Sequence, residues 1–113
     1  MKIIEDKISK SELETMAENM FGNFVKAVAD VERKIMAVDA ELHADLEASL
    51  LEHDSKQENL WGINLYPELS GKDFIEFDSM INIKPRQENR SRNVESQEIR
   101  DKIISIVNKL VAK

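Results

Sequence analysis

Three polar residues at alternate positions, His43, Asp45 and Glu47, form the first candidate site for chemistry in this chain. If this stretch is a β-strand, the three side chains share one face, with neighbouring Cα atoms about 7 Å apart. One imidazole with two carboxylates suits a divalent metal ion such as Mg²⁺, Mn²⁺ or Zn²⁺. The pattern allows a metal-dependent hydrolase or phosphoesterase, although a solvated polar strand face produces the same alternation.

A second candidate site lies after Pro85, where arginine recurs in a polar segment. Arginine binds phosphate and carboxylate groups through paired donors, which predicts an anionic ligand. Neutral hydrogen-bonding groups are available in the same loop and on the predicted polar face of the sheet. The candidate ligand-binding residues are Asn64, Tyr66, Arg86, Asn89, Arg90 and Arg92. The alternative is that these arginines pair with Glu88, Glu95 and the acidic sheet.

Composition and charge limit the classes of function. The chain has 113 residues, a net charge of −6 and no cysteine, which excludes disulfides, zinc–thiolate sites and cysteine nucleophiles. Residues 1–83 carry 8 Lys and Arg against 18 Asp and Glu, whereas residues 84–113 carry 8 against 4. The acidic body argues against nucleic acid as a partner. The basic end favours an anionic small molecule or a protein partner, and exposed sheet edges would allow a homodimer.

Two segments have the capping signals and apolar spacing of helices. Ser9 precedes Glu12 at the spacing of a capping box, and apolar residues then recur at helical period, which predicts a helix over about 10–21. Ser96 is a suitable N-cap for a helix over about 96–112, which carries a long apolar stripe.

Apolar residues occupy every second position from Met36 to Leu50, and the positions between them are polar from Asp39 onward, which predicts one long, half-buried strand. Helix over 41–52 is the alternative, because Ala, Leu and Glu are good helix formers and leucines also recur every four residues. Shorter alternations predict further strands over 24–31, 60–66 and 75–83, with Trp61 in the core.

These elements predict a single α+β domain over residues 1–113. An antiparallel sheet of about four to five strands would have two helices covering one face, with its other face acidic and open to water. No run of residues is apolar enough to span a membrane, and the acidic start is unlike a signal peptide. We therefore expect a cytoplasmic binding or interaction module with an arginine loop beside the acidic face.

Four short stretches resemble a known protein family: Leu42–Asp45, Leu60–Asn64, Asp78–Asn82 and Asn89–Val94. The family comprises small uncharacterised prokaryotic proteins and is catalogued as a domain of unknown function, so the resemblance implies no activity or cofactor. It does imply glycine near Asp39–Ala40, His53–Asp54 and Asn93, where this chain has none. Asp and Asn tolerate left-handed backbone conformations, so Asp39, Asp54 and Asn93 are compatible with those turns.

Overall fold

Five strands form an antiparallel sheet in the computed structural model, which describes residues 1–112. In chain order they are β1 (Lys2–Ile4), β3 (Val25–Asp30), β4 (Ile35–Val38), β5 (Leu60–Leu65) and β6 (Ile75–Glu76). Their order across the sheet is β1-β4-β3-β5-β6. Two short strands, β2 (Ile8–Ser9) and β7 (Val111–Ala112), pair in parallel outside this sheet and join the two ends of the chain.

Helices α1 (Lys10–Asn19) and α3 (Gln97–Leu110) cover one face of the sheet, as predicted. Both begin at the expected caps: Ser9 Oγ accepts from Glu12 N at 3.0 Å, and Ser96 Oγ accepts from Ile99 N at 3.3 Å. Trp61 lies in this core and is 1% exposed, which confirms its predicted burial. Buried side chains from both helices and from β3, β4 and β5 form this main core.

The predicted long strand over residues 36–50 is wrong. Strand β4 ends at Val38, and residues His43–Glu52 form a third helix, α2. The alternation depended on alanines: Ala44 and Ala48 are exposed on the helix, where a small apolar residue is tolerated. Leu46 and Leu50, one turn apart, are the apolar residues of this helix that pack against the sheet.

The second face of the sheet is therefore only partly open to water. Under α2, Val28, Ala37 and Leu60 form a second small core with the two helix leucines. The rest of this face carries polar side chains, among them Lys26, Asn64 and Glu76. The prediction of two helices on one side holds for α1 and α3, and α2 is an addition on the other side.

The predicted strand over 75–83 is also mostly wrong, because β6 contains only two residues. Beyond it, the side chain of Asn82 takes the place of a neighbouring strand. Its Oδ1 accepts from Gly62 N at 2.7 Å, and its Nδ2 donates to Gly62 O at 2.9 Å. Ser79 crosses so close to Gly62 that a Cβ on the glycine would lie 2.5 Å from the serine side chain. This edge of β5 is thus closed by a loop.

Two turns, at positions where the family resemblance implies glycine, have a left-handed backbone conformation. Asp39 has φ 73° and Asp54 has φ 72°, which confirms that aspartate accommodates these turns. Asp39 ends β4, and Asp54 follows α2, so both residues set the ends of elements on the second face. Among residues 1–112, no helix has the length and apolar character needed to cross a membrane.

Candidate ligand-binding site

The predicted metal ligands His43, Asp45 and Glu47 do not lie on one face. On a helix, His43 and Glu47 are one turn apart, whereas Asp45 points away from both and is exposed. His43 is buried, and its Nε2 lies 2.8 Å from Ile63 O, so the neutral ring donates there. Within residues 1–112, no group of three or more His, Asp or Glu side chains is arranged to hold a metal ion.

Burial lowers the pKa of His43 below its usual value, because a charged ring would lose its hydration. The bond to Ile63 and the nearby Asp78 and Asn64 side chains oppose this shift only in part, while Lys26 adds to it. His43 is therefore a neutral residue that holds α2 against β5.

Asn64 and Tyr66 lie on the polar part of the second face, as predicted. There, both side chains form hydrogen bonds with Glu76. Asn64 Nδ2 donates to Glu76 Oε1 at 2.8 Å and to Asp78 O at 3.3 Å. Tyr66 Oη donates to the same Glu76 oxygen at 3.1 Å. Burial, and then the bond to the charged Glu76, raise the pKa of Tyr66. The donor groups of both side chains are thus used within the protein, whereas Asn64 Oδ1 is buried without a hydrogen-bond partner among residues 1–112.

The arginine loop contains one residue that organises it and three exposed arginines. Asn89 is buried, and its Nδ2 donates to Asn82 O and to Asn93 O, each at 2.7 Å, so its side chain builds the loop. Arg92 Nε donates to Asp78 Oδ1 at 2.7 Å in a pair that is about half exposed. For Arg92, this is the internal ion pairing given above as the alternative to a ligand site. The side chains of Arg86 and Arg90 have no hydrogen bond or ion pair within residues 1–112.

The anion-binding backbone of this loop is occupied by the chain's own Glu95. Its carboxylate accepts from Arg90 N and Ser91 N, both at 2.9 Å, and from Ser91 Oγ at 2.8 Å. The bond from the Ser91 hydroxyl, followed by those from the two amides, lowers the pKa of Glu95. An external anion would have to displace this carboxylate.

A cavity of about 750 Å³ lies between α3, the start of α1 and the segment 69–77. Its size is within the range of small-molecule sites in proteins. Apolar side chains form much of its wall: Leu69, Phe74, Ile75, Phe77, Ile104, Val107 and Val111. Three cations and one carboxylate also line it: Lys10, Lys72, Arg100 and Asp73. On a chain of net charge −6, this concentration of positive charge sets the cavity apart.

Arg100 connects this cavity with the arginine loop. Its Nε donates to Val94 O at 2.6 Å, and its Nη2 donates to Asn93 Oδ1 at 2.5 Å. Its guanidinium carbon lies 4.8 Å from the centre of the Phe77 ring, a cation–π arrangement. Three contacts therefore fix the guanidinium in place at the cavity wall.

The sequence did not indicate Lys10 or Lys72 as members of a site. They lie far apart in the chain, and only the packing of α3 against the segment 69–77 brings them to one cavity. A signal was present in Leu69, Phe74 and Phe77, three large apolar residues in a segment with little regular structure.

A smaller cavity, of about 370 Å³, is lined mostly by charged groups: Asp30, Glu32, Arg33, Asp54, Lys56, Glu58 and Asn59. Asp30 is fully buried there, but its carboxylate is used internally. It accepts from Glu32 N and Arg33 N, each at 2.9 Å, and from Ser55 Oγ at 2.6 Å. The carboxylate of Asp30 therefore stabilises the turn that lines this cavity and is not available to a ligand.

Comparison with known protein families gives a match over nearly the whole chain. The sequence model of a family described as "Protein of unknown function (DUF5674)" matches residues 2–110. No curated protein and no solved structure matches the chain.

Proposed function

The chain belongs to this family of unknown function, and on the geometry of its larger cavity we propose that it is a binding module for a small amphipathic anion. The observation that carries the proposal is the combination of apolar walls with Lys10, Lys72 and Arg100 in one cavity. A ligand with an apolar body and an anionic head complements both features.

The apolar part of the cavity indicates a ligand that has an apolar body in addition to its anionic group. Phe74, Phe77 and Ile104 are only partly buried by the protein and pack at the margin of the main core. Covering such side chains with an apolar ligand removes them from water, which contributes about 25 cal/mol per Å² of buried surface. A hydrated inorganic ion would leave this surface exposed.

The positive charge supports an anionic head in preference to a neutral one. Lys10 and Lys72 have no ion pair within residues 1–112, and both line the same cavity. Asp73 is the single carboxylate among the lining residues, so the local charge is positive although the chain is acidic. A ligand carboxylate, phosphate or sulfate would be attracted there.

This proposal keeps the anionic ligand predicted from the sequence and places it beside the arginine loop. Arg92 is paired with Asp78, Asn89 is committed to the loop, and the loop's backbone donors bind Glu95. Arg86 and Arg90 are exposed and do not line the cavity. We therefore favour the cavity, to which the loop contributes by holding Arg100.

Binding of a fluorescent amphipathic carboxylate, dansyl-labelled undecanoate, tests the proposal. Dansyl emission should rise and shift to the blue with wild type. Ile104→Trp should abolish this change by filling the cavity, whereas Ser105→Trp, the same substitution at the exposed neighbouring position of α3, should leave it intact.

A charge-reversing pair of variants locates the anionic head. Lys72→Glu should weaken binding of the dansyl probe, and Arg86→Glu, which changes charge by the same amount outside the cavity, should not. Absence of any probe binding to wild type, or loss of binding with Arg86→Glu but not with Lys72→Glu, would contradict the proposed site.

A further inference from the structure

We infer that Arg100 selects a carboxylate as the anionic head of the ligand, by gripping both of its oxygens at once. This inference rests on the proposed function, because it concerns the same cavity. It adds the class of ligand, an acid with an apolar tail, and the residue that recognises it.

The argument begins with the donors of the Arg100 guanidinium. The group has five N–H donors in a fixed planar fork. The edge formed by Nε and Nη2 is already used, since Nε donates to Val94 O and Nη2 donates to Asn93 Oδ1. The donors of Nη1 and the second donor of Nη2 have no partner within residues 1–112.

One of the Nη1 donors and the remaining Nη2 donor form the other edge of the fork and are nearly parallel, and we take this edge to face the cavity that Arg100 lines. That geometry matches the two oxygens of a planar carboxylate, which accepts two parallel hydrogen bonds from arginine. A phosphate or sulfate head can also accept two bonds from this edge, but its further oxygens would then depend on water or on the flexible lysines. The geometry therefore favours a carboxylate.

Preorganisation strengthens this grip. A free arginine side chain loses conformational freedom when it binds a ligand, and that loss weakens binding. Here the two hydrogen bonds and the stacking on Phe77 have already fixed the guanidinium before a ligand arrives. Lys10 and Lys72, which present flexible ammonium groups, lack this directionality and attract any anion.

The charge of the lining attracts singly and doubly charged head groups alike, so the choice between them depends on which cations are held in place. Three cations and one carboxylate line the cavity, and two of the cations are on flexible side chains. A carboxylate carries one negative charge, which the fixed Arg100 neutralises directly. The second charge of a phosphate ester would have to be met by lysines that remain in contact with water.

Competition for the dansyl probe measures the preference in wild type. Decanoate, decyl phosphate, decyl sulfate and decanol share one chain length and differ in the head group. Decanoate should displace the probe at a concentration about tenfold lower than decanol, as expected for a charge-assisted pair of hydrogen bonds. Decyl phosphate and decyl sulfate should fall between them. If either of these two displaced the probe better than decanoate, the inference would be overturned while the proposed function stood.

The variant Arg100→Lys keeps the positive charge and removes the planar fork. It should reduce the preference for decanoate over decyl sulfate to about one. Arg90→Lys, the same change on an exposed arginine, should preserve the preference. If Arg100 had only a structural role, Arg100→Lys would weaken the binding of all four compounds in proportion. An unchanged preference for decanoate over decyl sulfate in this variant would therefore refute head-group recognition. If Arg100→Lys does not fold, the ranking of the four compounds with wild type still tests the preference for a carboxylate. Failure of every compound to bind wild type would reject the proposed function itself.

Discussion

At the scale of single residues, polar side chains in this protein mostly substitute for missing backbone partners. Asn82 completes the hydrogen bonds of Gly62, Asn89 ties together four loop residues, and Asp30 closes the turn after β3. Because these amide and carboxylate groups are buried and satisfied, removing one leaves its partners unpaired in a dry environment. Their prominence in the sequence reflects loop construction more than ligand binding.

The close approach of Ser79 to Gly62 gives a direct prediction. Gly62→Ala should lower the free energy of unfolding by about 1–3 kcal/mol, because the new Cβ would lie 2.5 Å from the Ser79 side chain. Urea denaturation would measure the loss. Adding Ser79→Gly to the same chain should restore much of the stability, since it removes the contacting atoms. Equal stabilities of the single and double variants would show that the contact does not limit this position.

His43 predicts a pH dependence of stability. Because its folded-state pKa is below the ordinary 6.5, the unfolded chain takes up the proton first as the pH falls. The contribution of His43 is present above pH 6.5 and is lost as the pH falls towards the folded-state pKa. His43→Gln, which can still donate to Ile63 O, should flatten the fall in unfolding free energy over this range in urea titrations. His53→Gln, at an exposed position, is the control, and identical pH profiles for His43→Gln and wild type would contradict the prediction.

At the scale of elements, the sequence was informative where one periodicity dominated. Helices α1 and α3, and strands β3 and β5, were predicted close to their observed bounds because capping serines and strict apolar spacing agreed. Residues 36–50 satisfied two patterns at once, since Leu42, Leu46 and Leu50 fit both a period of two and a period of four. The chain turns at Asp39 with φ 73°, and Leu46 and Leu50 then pack against Val28, Ala37 and Leu60, contacts that the local pattern does not reveal.

The candidate site was less predictable than the fold. The arginine loop was recognised because its residues are consecutive in the chain. The cavity was not, since Lys10, Lys72 and Arg100 come together only through the packing of α3. The expected triad at His43 required a strand, so the error in the element carried directly into the site. Tyr66 and Asn64 were placed on the correct face, where they bind Glu76.

The helical assignment of α2 predicts unequal effects at two of its leucines. A strand would bury Leu42 and Leu46 alike, whereas here Leu42 is 56% exposed and Leu46 is fully buried. Leu46→Ala should therefore lower the free energy of unfolding by about 2–4 kcal/mol, and Leu42→Ala by less than about 0.5 kcal/mol. Chemical denaturation of the two variants measures this difference. Similar losses at both positions would favour the strand.

At the scale of the whole molecule, the two ends of the chain close the fold and form part of the cavity. Strand β7 follows α3 directly and pairs with β2, which leads into α1. Val111, which pairs with Ile8, also lines the cavity, and Lys10 follows β2 immediately. The same short pair of strands therefore contributes to the fold and to the wall of the proposed ligand site.

Val111→Asp tests this link at both levels. Val111 is 6% exposed, so a carboxylate there would be buried without a partner, and the free energy of unfolding should fall by about 2 kcal/mol or more. The added negative charge at the cavity wall should also repel an anionic ligand and so weaken binding of the dansyl probe. Ala112→Asp introduces the same charge on the other side of β7, at a half-exposed position, and should have much smaller effects on both. Urea denaturation and probe titration measure the two effects, and equal effects of the two variants would show that the paired ends do not form the cavity wall.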